Sequence, residues 1–230
     1  MQNISNRWST RAYHLIIAGA GLFVLLTIIA MFFYPGGVVG DPSTHGYIFT
    51  RNFFSDLGLT VAHNGQANTT DMVLFTTSLT VVGAGLVFFF LMVPRLFWNS
   101  TSGKILSILG SAAGIVTAIS YIGVGWTPAD IRLEAHVNFV FTAFEAFPIA
   151  ALLYAIAIYR QPGYPRRFAV VYLVFTLLLG AYLWLLFFGP NSDSAQGLVI
   201  QVVGQKLIVY AAVIAMSIQG IGALQVEKNL

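Results

Sequence analysis

The sequence predicts an all-α integral membrane protein: a bundle of six transmembrane helices in a single domain that covers residues 1–230. Hydrophobic residues make up 57% of the chain and charged residues only 8%, against roughly 25% charged residues in an average soluble domain. Eleven basic and 8 acidic side chains cannot give 230 residues a water-facing surface. This composition excludes a soluble globular enzyme, a disordered chain and an ordinary nucleic-acid-binding protein.

Six segments are apolar and long enough to cross a membrane. A helix needs roughly 20 apolar residues to span about 30 Å of hydrocarbon. Extended backbone is excluded from lipid because its polar groups would lack hydrogen-bond partners. The predicted spans are residues 13–34, 70–93, 104–125, 135–159, 167–188 and 198–222.

The distribution of Lys and Arg predicts the orientation of these spans. Short loops rich in Lys and Arg stay on the cytoplasmic side of a membrane. One end of the predicted bundle holds Arg7, Arg11, Arg95, Lys104, Arg160, Arg166, Arg167 and Lys228. The loops at the other end hold only Arg51 and Arg132, and Lys206 falls inside the last span. We therefore expect a multi-pass protein of the cell membrane with both termini in the cytoplasm.

The first outer loop is long, running from about Pro35 to Thr69. Loops of this length usually carry structure of their own or a function. Its segment YIFTRNFFSDLGLT is aromatic and amphipathic. This pattern predicts a short helix over residues 47–58 that lies at the membrane interface or caps the bundle. A lid with a purely structural role is the alternative.

Two ionisable residues stand out because they lie deep within predicted spans, and such residues are functional candidates because burying them in lipid is costly. At 1.5 Å per residue, Glu145 lies about 16 Å into the fourth span and Lys206 about 12–13 Å into the sixth. We therefore expect them to face each other or share a polar cavity. Helical periodicity extends this site along both helices. The predicted ligand-binding residues are Glu145, Lys206, Asn138, Gln201, Gln205 and Tyr210. A buried ion pair that fixes helix packing is the alternative.

A second polar cluster is predicted at the outer rim of the bundle, at Arg51, Asp56, Asp130 and Arg132. Asp56, Glu134 and His136 are the candidates for catalysis, although no motif assigns them a reaction. The four His residues are scattered along the chain, so neither a metal site nor a cofactor is predicted.

Small residues line the third span, where Gly110 and Gly114 have the GxxxG spacing that lets membrane helices approach closely. A homodimer through these two glycines is one interpretation. A compact monomer with the third helix at its centre is the other.

Several short motifs resemble those of a known family. They are SDLG at residues 55–58, GWTPAD at residues 125–130 followed by His136, and the polar pair Gln205–Lys206. In these features the chain resembles an uncharacterised bacterial and archaeal membrane family placed near the DRAM-like autophagy modulators. The resemblance implies a six-helix bundle in the cell membrane and supplies no established activity.

The hypothesis that best fits the polar stripes is a protein that binds or moves a lipid-like or small amphipathic ligand in an outward-facing cavity within the membrane. In this hypothesis Lys206 anchors an anionic group, and the partners are membrane lipids. One alternative is an intramembrane lipid hydrolase that uses Asp56, Glu134 and His136. Another is a structural or assembly subunit of a membrane complex.

Overall fold

Six long helices make up most of the chain. The computed structural model describes the backbone of residues 2–229 and the side chains of residues 7–229. The helices are α1 Gln2–Phe33, α2 Thr69–Met92, α3 Thr101–Trp126, α4 Leu133–Arg160, α5 Arg167–Phe188 and α6 Ala195–Glu227. Each is long and apolar enough to cross a membrane, which confirms the predicted six-span, all-α bundle.

Polar residues at the helix ends make several helices longer than their apolar cores. Ser100 and Ser194 cap α3 and α6, each accepting a hydrogen bond of 3.0 Å from the backbone N–H three residues later. The polar ends of α1 and α6 support each other, because Ser9 Oγ donates to Glu227 Oε1 at 2.6 Å. The predicted spans cover only the apolar parts of these helices, so those of α3 and α6 begin after the capping serines.

The helices form a closed ring. Each packs against the helices before and after it in the chain, and α6 packs against α1. The outside of this ring is apolar: Leu207 is 68% exposed, whereas the neighbouring Lys206 is only 2% exposed. An apolar exterior around a buried charge is the arrangement expected of a chain surrounded by lipid. Buried aromatic side chains fill one end of the ring, among them Phe89, Phe90, Phe147, Tyr154 and Tyr172.

The GxxxG pair of α3 is used inside this ring. A Cβ atom at Gly110 would lie 2.9 Å from the ring of Tyr154, and one at Gly114 would lie 2.5 Å from the ring of Phe90. Both glycines are buried by neighbouring helices of the same chain. The surface predicted for a homodimer through Gly110 and Gly114 is therefore not exposed, and these glycines instead let helices of the same chain approach closely. The expectation that α3 lies at the centre of the bundle is wrong, because α3 is one member of the ring, between α2 and α4.

The loop between α1 and α2 has an ordered structure. It begins with an antiparallel hairpin of β1 Gly36–Val38 and β2 Asp41–His45. Gly37 has φ +85°, and a Cβ there would lie 2.3 Å from the backbone nitrogen of Asn64, so the hairpin packs against the rest of the loop only with glycine at this position. The hairpin was not predicted from the sequence.

The second half of this loop enters the helix ring. We call residues 47–58 the plug. The helix predicted over these residues is wrong in extent, because only Phe54–Gly58 is helical, as a 3₁₀ turn. Phe54 packs against Phe23 of α1 with ring centroids 6.0 Å apart. Phe23 lies ten residues before the end of α1, about 15 Å along the helix axis. The plug therefore enters the ring through the buried side chain of Phe54, while Phe49 stays 47% exposed.

Candidate ligand cavity beneath the plug

The ammonium of Lys206 anchors the plug to α6. Its Nζ donates a short hydrogen bond to the backbone carbonyl of Asn52. Three aromatic rings of the plug surround the same atom, with centroids 5.2, 5.0 and 5.3 Å away in Tyr47, Phe49 and Phe54. A cation over aromatic faces is stabilised, the more so when it is shielded from water. Every one of these contacts is made to the plug, which accounts for a lysine buried within a transmembrane helix.

Asn52 and Asp56 organise the polar interior of the plug. The side chain of Asn52 accepts a hydrogen bond from the backbone of Ile48 and donates to Asp56 Oδ2, both at 2.9 Å. Asp56 Oδ2 also accepts from the backbone N–H of Phe53 at 3.0 Å. Its other oxygen lies 3.4 Å from His63 Nε2. The carboxylate of Asp56 raises the pKa of His63 above its ordinary value.

Two further residues tie the loop to the helices. Asn68 precedes α2, and its Nδ2 donates to the carbonyls of Asp56, Leu57 and Leu59 at 3.3, 3.2 and 2.9 Å. Asp130, between α3 and α4, accepts from the backbone N–H of Thr60 at 3.0 Å and of Val61 at 3.1 Å. Partial burial raises the pKa of Asp130, but these hydrogen bonds outweigh it and hold the pKa below its ordinary value.

A cavity of about 90 Å³ lies beneath the plug. Its walls come from every helix except α5, and its roof is Phe54 and Ser55. Among the residues that the structure describes, no charged side chain lines it. The apolar lining comprises Ile16, Ala20, Phe23, Phe54, Phe75, Leu79, Val82, Leu86, Val124, Val140, Ala143, Phe144, Val209, Ala212, Val213 and Met216. The cavity is therefore a site for apolar groups, unlike the polar cavity predicted from the sequence.

Three polar side chains interrupt this apolar lining: Ser55, Tyr121 and Gln205. Gln205 Oε1 accepts a hydrogen bond from the backbone N–H of Phe54 at 2.9 Å. Because a backbone N–H can only donate, the amide atom of Gln205 that faces the plug is its oxygen. Gln205 of α6 therefore contacts both the plug and the cavity, and the adjacent Lys206 holds the plug.

The predicted partnership of Glu145 with Lys206 is wrong. Glu145 and Asn138 lie on the exposed face of α4, while Phe144 and Ala143 of the same helix line the cavity. Helical periodicity groups residues on a common face but does not say which face points inward. The inner face of α4 is the aromatic and small-residue face, and the Glu145 stripe is on the other side.

The remaining predicted ligand-binding residues have separate roles. Gln201 Nε2 donates to the carbonyls of Leu185 and Pro190 at 3.1 and 3.0 Å, so it satisfies the end of α5. Tyr210 packs against Phe54 with ring centroids 5.6 Å apart. Of the six residues, Gln205 alone lines the cavity, while Lys206 and Tyr210 hold the plug above it.

The candidates for catalysis do not assemble into one site. Glu134 is exposed. His136 is buried, with Nδ1 2.7 Å from the carbonyl oxygen of Thr127. Among the described residues, no hydrogen bond or ion pair joins Asp56, Glu134 and His136. Among the described residues, no group of three or more potential metal ligands could hold an ion.

The predicted rim residues are also dispersed. Arg51 Nη2 lies 3.8 Å from Asp41 Oδ2 on the hairpin, and Arg132 is exposed. Asp56 is instead buried within the plug, and Asp130 binds the loop that follows the plug. Arg51, Asp56 and Asp130 therefore hold the loop in different places, and the four rim residues do not form a common site.

Sequence reasoning missed Asp71. This residue is in the first turn of α2 and is 1% exposed. Its Oδ1 is buried and accepts no hydrogen bond within the described part of the chain. The position of a carboxylate at the start of the second predicted span was the available signal, because an ionisable residue there has a high cost.

The comparisons with known proteins give no relative from which a role could be transferred. No family model, no curated protein and no solved structure matches the chain. The functional argument therefore rests on the cavity and the plug themselves.

Proposed function

We propose that this protein binds an apolar, lipid-like molecule in the cavity beneath the plug. The observation that carries the proposal is the composition of that cavity: sixteen of its 19 lining residues are apolar, and it lies at the centre of a helix ring. Interiors are normally close-packed. A cavity surrounded by aliphatic and aromatic side chains excludes water and accepts apolar groups.

The size of the cavity limits what fits while the plug is in place. An engineered apolar cavity of about 150 Å³ accepts a benzene molecule, and this one measures about 90 Å³. It therefore holds the end of a hydrocarbon chain or a small apolar group. A bulkier ligand requires Phe54 and Ser55 to withdraw, since these residues form the roof.

In this proposal Lys206 retains the plug and does not bind an anionic ligand group. Its ammonium is enclosed by the plug's own carbonyl and aromatic rings. Lys206 is also absent from the cavity lining. Release of the plug would break these contacts together, so that movement of the plug and access to the cavity are coupled.

The binding proposal is tested with a matched pair of alanine variants. Ala20 of α1 lines the cavity, whereas Ala181 is exposed on α5, the helix that contributes no residue to the cavity. Ala20→Leu should fill the cavity and abolish retention of a bound lipid in native mass spectrometry of protein extracted in mild detergent. Ala181→Leu should retain it. Wild-type protein that carries no stoichiometric apolar molecule, or retention unchanged in Ala20→Leu, would refute the proposal.

We further propose that the protein resides in the cell membrane with both termini in the cytoplasm. The support is the concentration of basic residues at the end of the ring opposite the plug. The chain contains no Cys, so single cysteines report orientation directly. A membrane-impermeant maleimide should label Ser43→Cys in intact cells and leave Ser102→Cys unlabelled. The reverse labelling pattern would show that both termini lie outside the cell.

The similarity to the membrane family near the DRAM-like proteins stays a prediction from short motifs. Two of those motifs have a structural role that explains their pattern. SDLG, residues 55–58, forms the 3₁₀ turn of the plug, and Gln205–Lys206 holds that turn. Relatives that share both motifs are therefore expected to share the plug.

A further inference from the structure

We infer that the ligand of this cavity is an uncharged molecule with a hydrogen-bond-accepting oxygen, such as a ketone or ester carbonyl, at the plug end of its hydrocarbon chain. The inference rests on the proposed binding function and specifies the class of ligand. It follows from the placement of the cavity's polar groups and from the exclusion of charge from its walls.

The amide of Gln205 supplies a donor at the roof of the cavity. Its Oε1 is occupied by the backbone N–H of Phe54. Its Nε2 makes no hydrogen bond within the described part of the chain, yet it is not fully buried. Because Gln205 lines the cavity, this N–H₂ group is the donor available to a ligand oxygen.

A hydroxyl group lies at the same end. Ser55 forms part of the roof and directly follows Phe54, whose backbone binds Gln205. Its Oγ has no hydrogen-bond partner among the described residues and is not fully buried. A hydroxyl can donate or accept. Ser55 and Gln205 therefore each offer a donor at the plug end of the cavity. Tyr121 carries the remaining hydroxyl of the lining, and the other lining residues are apolar.

The walls disfavour a charged ligand. A charge in an apolar, water-excluding site is costly unless it is paired, and the cavity lining contains no charged side chain. The nearest cation on α6 is Lys206, whose Nζ is already enclosed by Asn52 and three aromatic rings. A fatty acid anion would have to displace the plug to reach that ammonium, whereas a carbonyl needs only the free donors.

The test compares three probes of equal chain length: a straight-chain alkane, its methyl ketone and the corresponding fatty acid anion. Binding is measured by competition in native mass spectrometry at neutral pH. A net hydrogen bond of about 0.5–1.5 kcal/mol predicts a preference for ketone over alkane of roughly twofold to tenfold. The anion should bind more weakly than the ketone.

Gln205→Glu is the informative variant because it keeps an oxygen acceptor for the Phe54 N–H while it removes the free N–H₂ group. It should weaken the preference for ketone over alkane, because only Ser55 still offers a donor, and it should still bind the alkane. Gln225→Glu is the matched control, since Gln225 is exposed and contacts Arg167 at the opposite end of the ring. This control should keep the preference of the wild type.

The outcomes separate the two proposals. Equal binding of ketone and alkane by wild-type protein, or a preference undiminished in Gln205→Glu, overturns the inference and leaves apolar binding intact. Tightest binding of the anion also overturns the inference. Failure of all three probes to bind refutes the proposed function itself.

Discussion

Replacing Lys206 with methionine removes the ammonium while keeping an apolar chain of similar length, and it should release the plug. The hydrogen bond from this cation to the Asn52 carbonyl is worth about 1.5–3 kcal/mol. Each contact with an aromatic ring adds about 1 kcal/mol. Methionine avoids part of the cost of burying a charge. We expect a net loss of about 3 kcal/mol in the local stability of the plug, which is roughly a hundredfold increase in its opening.

Hydrogen–deuterium exchange in lipid nanodiscs measures this opening. Peptides covering residues 47–58 should exchange much faster in Lys206→Met, whereas peptides from the middle of α3 should not change. Lys228→Met is the control, because Lys228 lies at the exposed end of the same helix.

Tyr47→Phe gives a milder version of the same perturbation. It deletes only the hydroxyl that donates to the carbonyls of Asn52 and Phe53 at 3.0 and 2.9 Å, so the same peptides should exchange faster by a smaller factor. Exchange of residues 47–58 at the wild-type rate in Lys206→Met would refute the assignment of Lys206 as the plug's anchor.

Three further changes probe how the loop is held. The pKa of His63 is raised from its ordinary value of 6.5, so its stabilising contact with Asp56 is fully present below that pH and is lost as pH rises through the raised pKa. The thermal stability of wild-type protein should therefore fall over that range more than that of His63→Gln, whereas exposed His45→Gln should behave like wild type. Asp130→Asn should weaken the hydrogen bonds from Thr60 and Val61, at a cost of about 1 kcal/mol, and accelerate hydrogen exchange just after the plug several-fold. Unchanged exchange would show that Asp130 does not hold the loop. Asp71→Asn should maintain or raise the melting temperature, because it removes a buried charge whose Oδ1 has no partner among the described residues; a large fall would mean that this carboxylate has a stabilising partner in the membrane.

The helices were predictable because hydropathy alone defines segments that lipid forces into helices. All six predicted spans correspond to helices, and the main differences lie at polar ends such as the Ser100 and Ser194 caps. Hydropathy carries no information about such ends, where side-chain hydrogen bonds decide the first residue of the helix.

The site was predictable only in part, because it depends on how a loop packs. Lys206 and Gln205 were identified as unusual within a span, and both hold the plug. Their hydrogen-bond partners are backbone atoms of Asn52 and Phe54. A pattern of side chains in the sequence does not predict a hydrogen bond to the backbone. The expected partner Glu145 was chosen by depth along the helix, and depth does not fix the direction in which a side chain points.

An apolar ligand beneath the plug would be seen in an experimental structure determined in a lipid environment, by electron microscopy with a rigid binding partner or by crystallography in a lipid mesophase. We expect elongated apolar density in the cavity below Phe54, with its plug-proximal end within hydrogen-bond distance of Gln205 Nε2. A closed cavity filled by protein side chains, or a ligand bound at Lys206 with the plug outside the ring, would contradict this expectation.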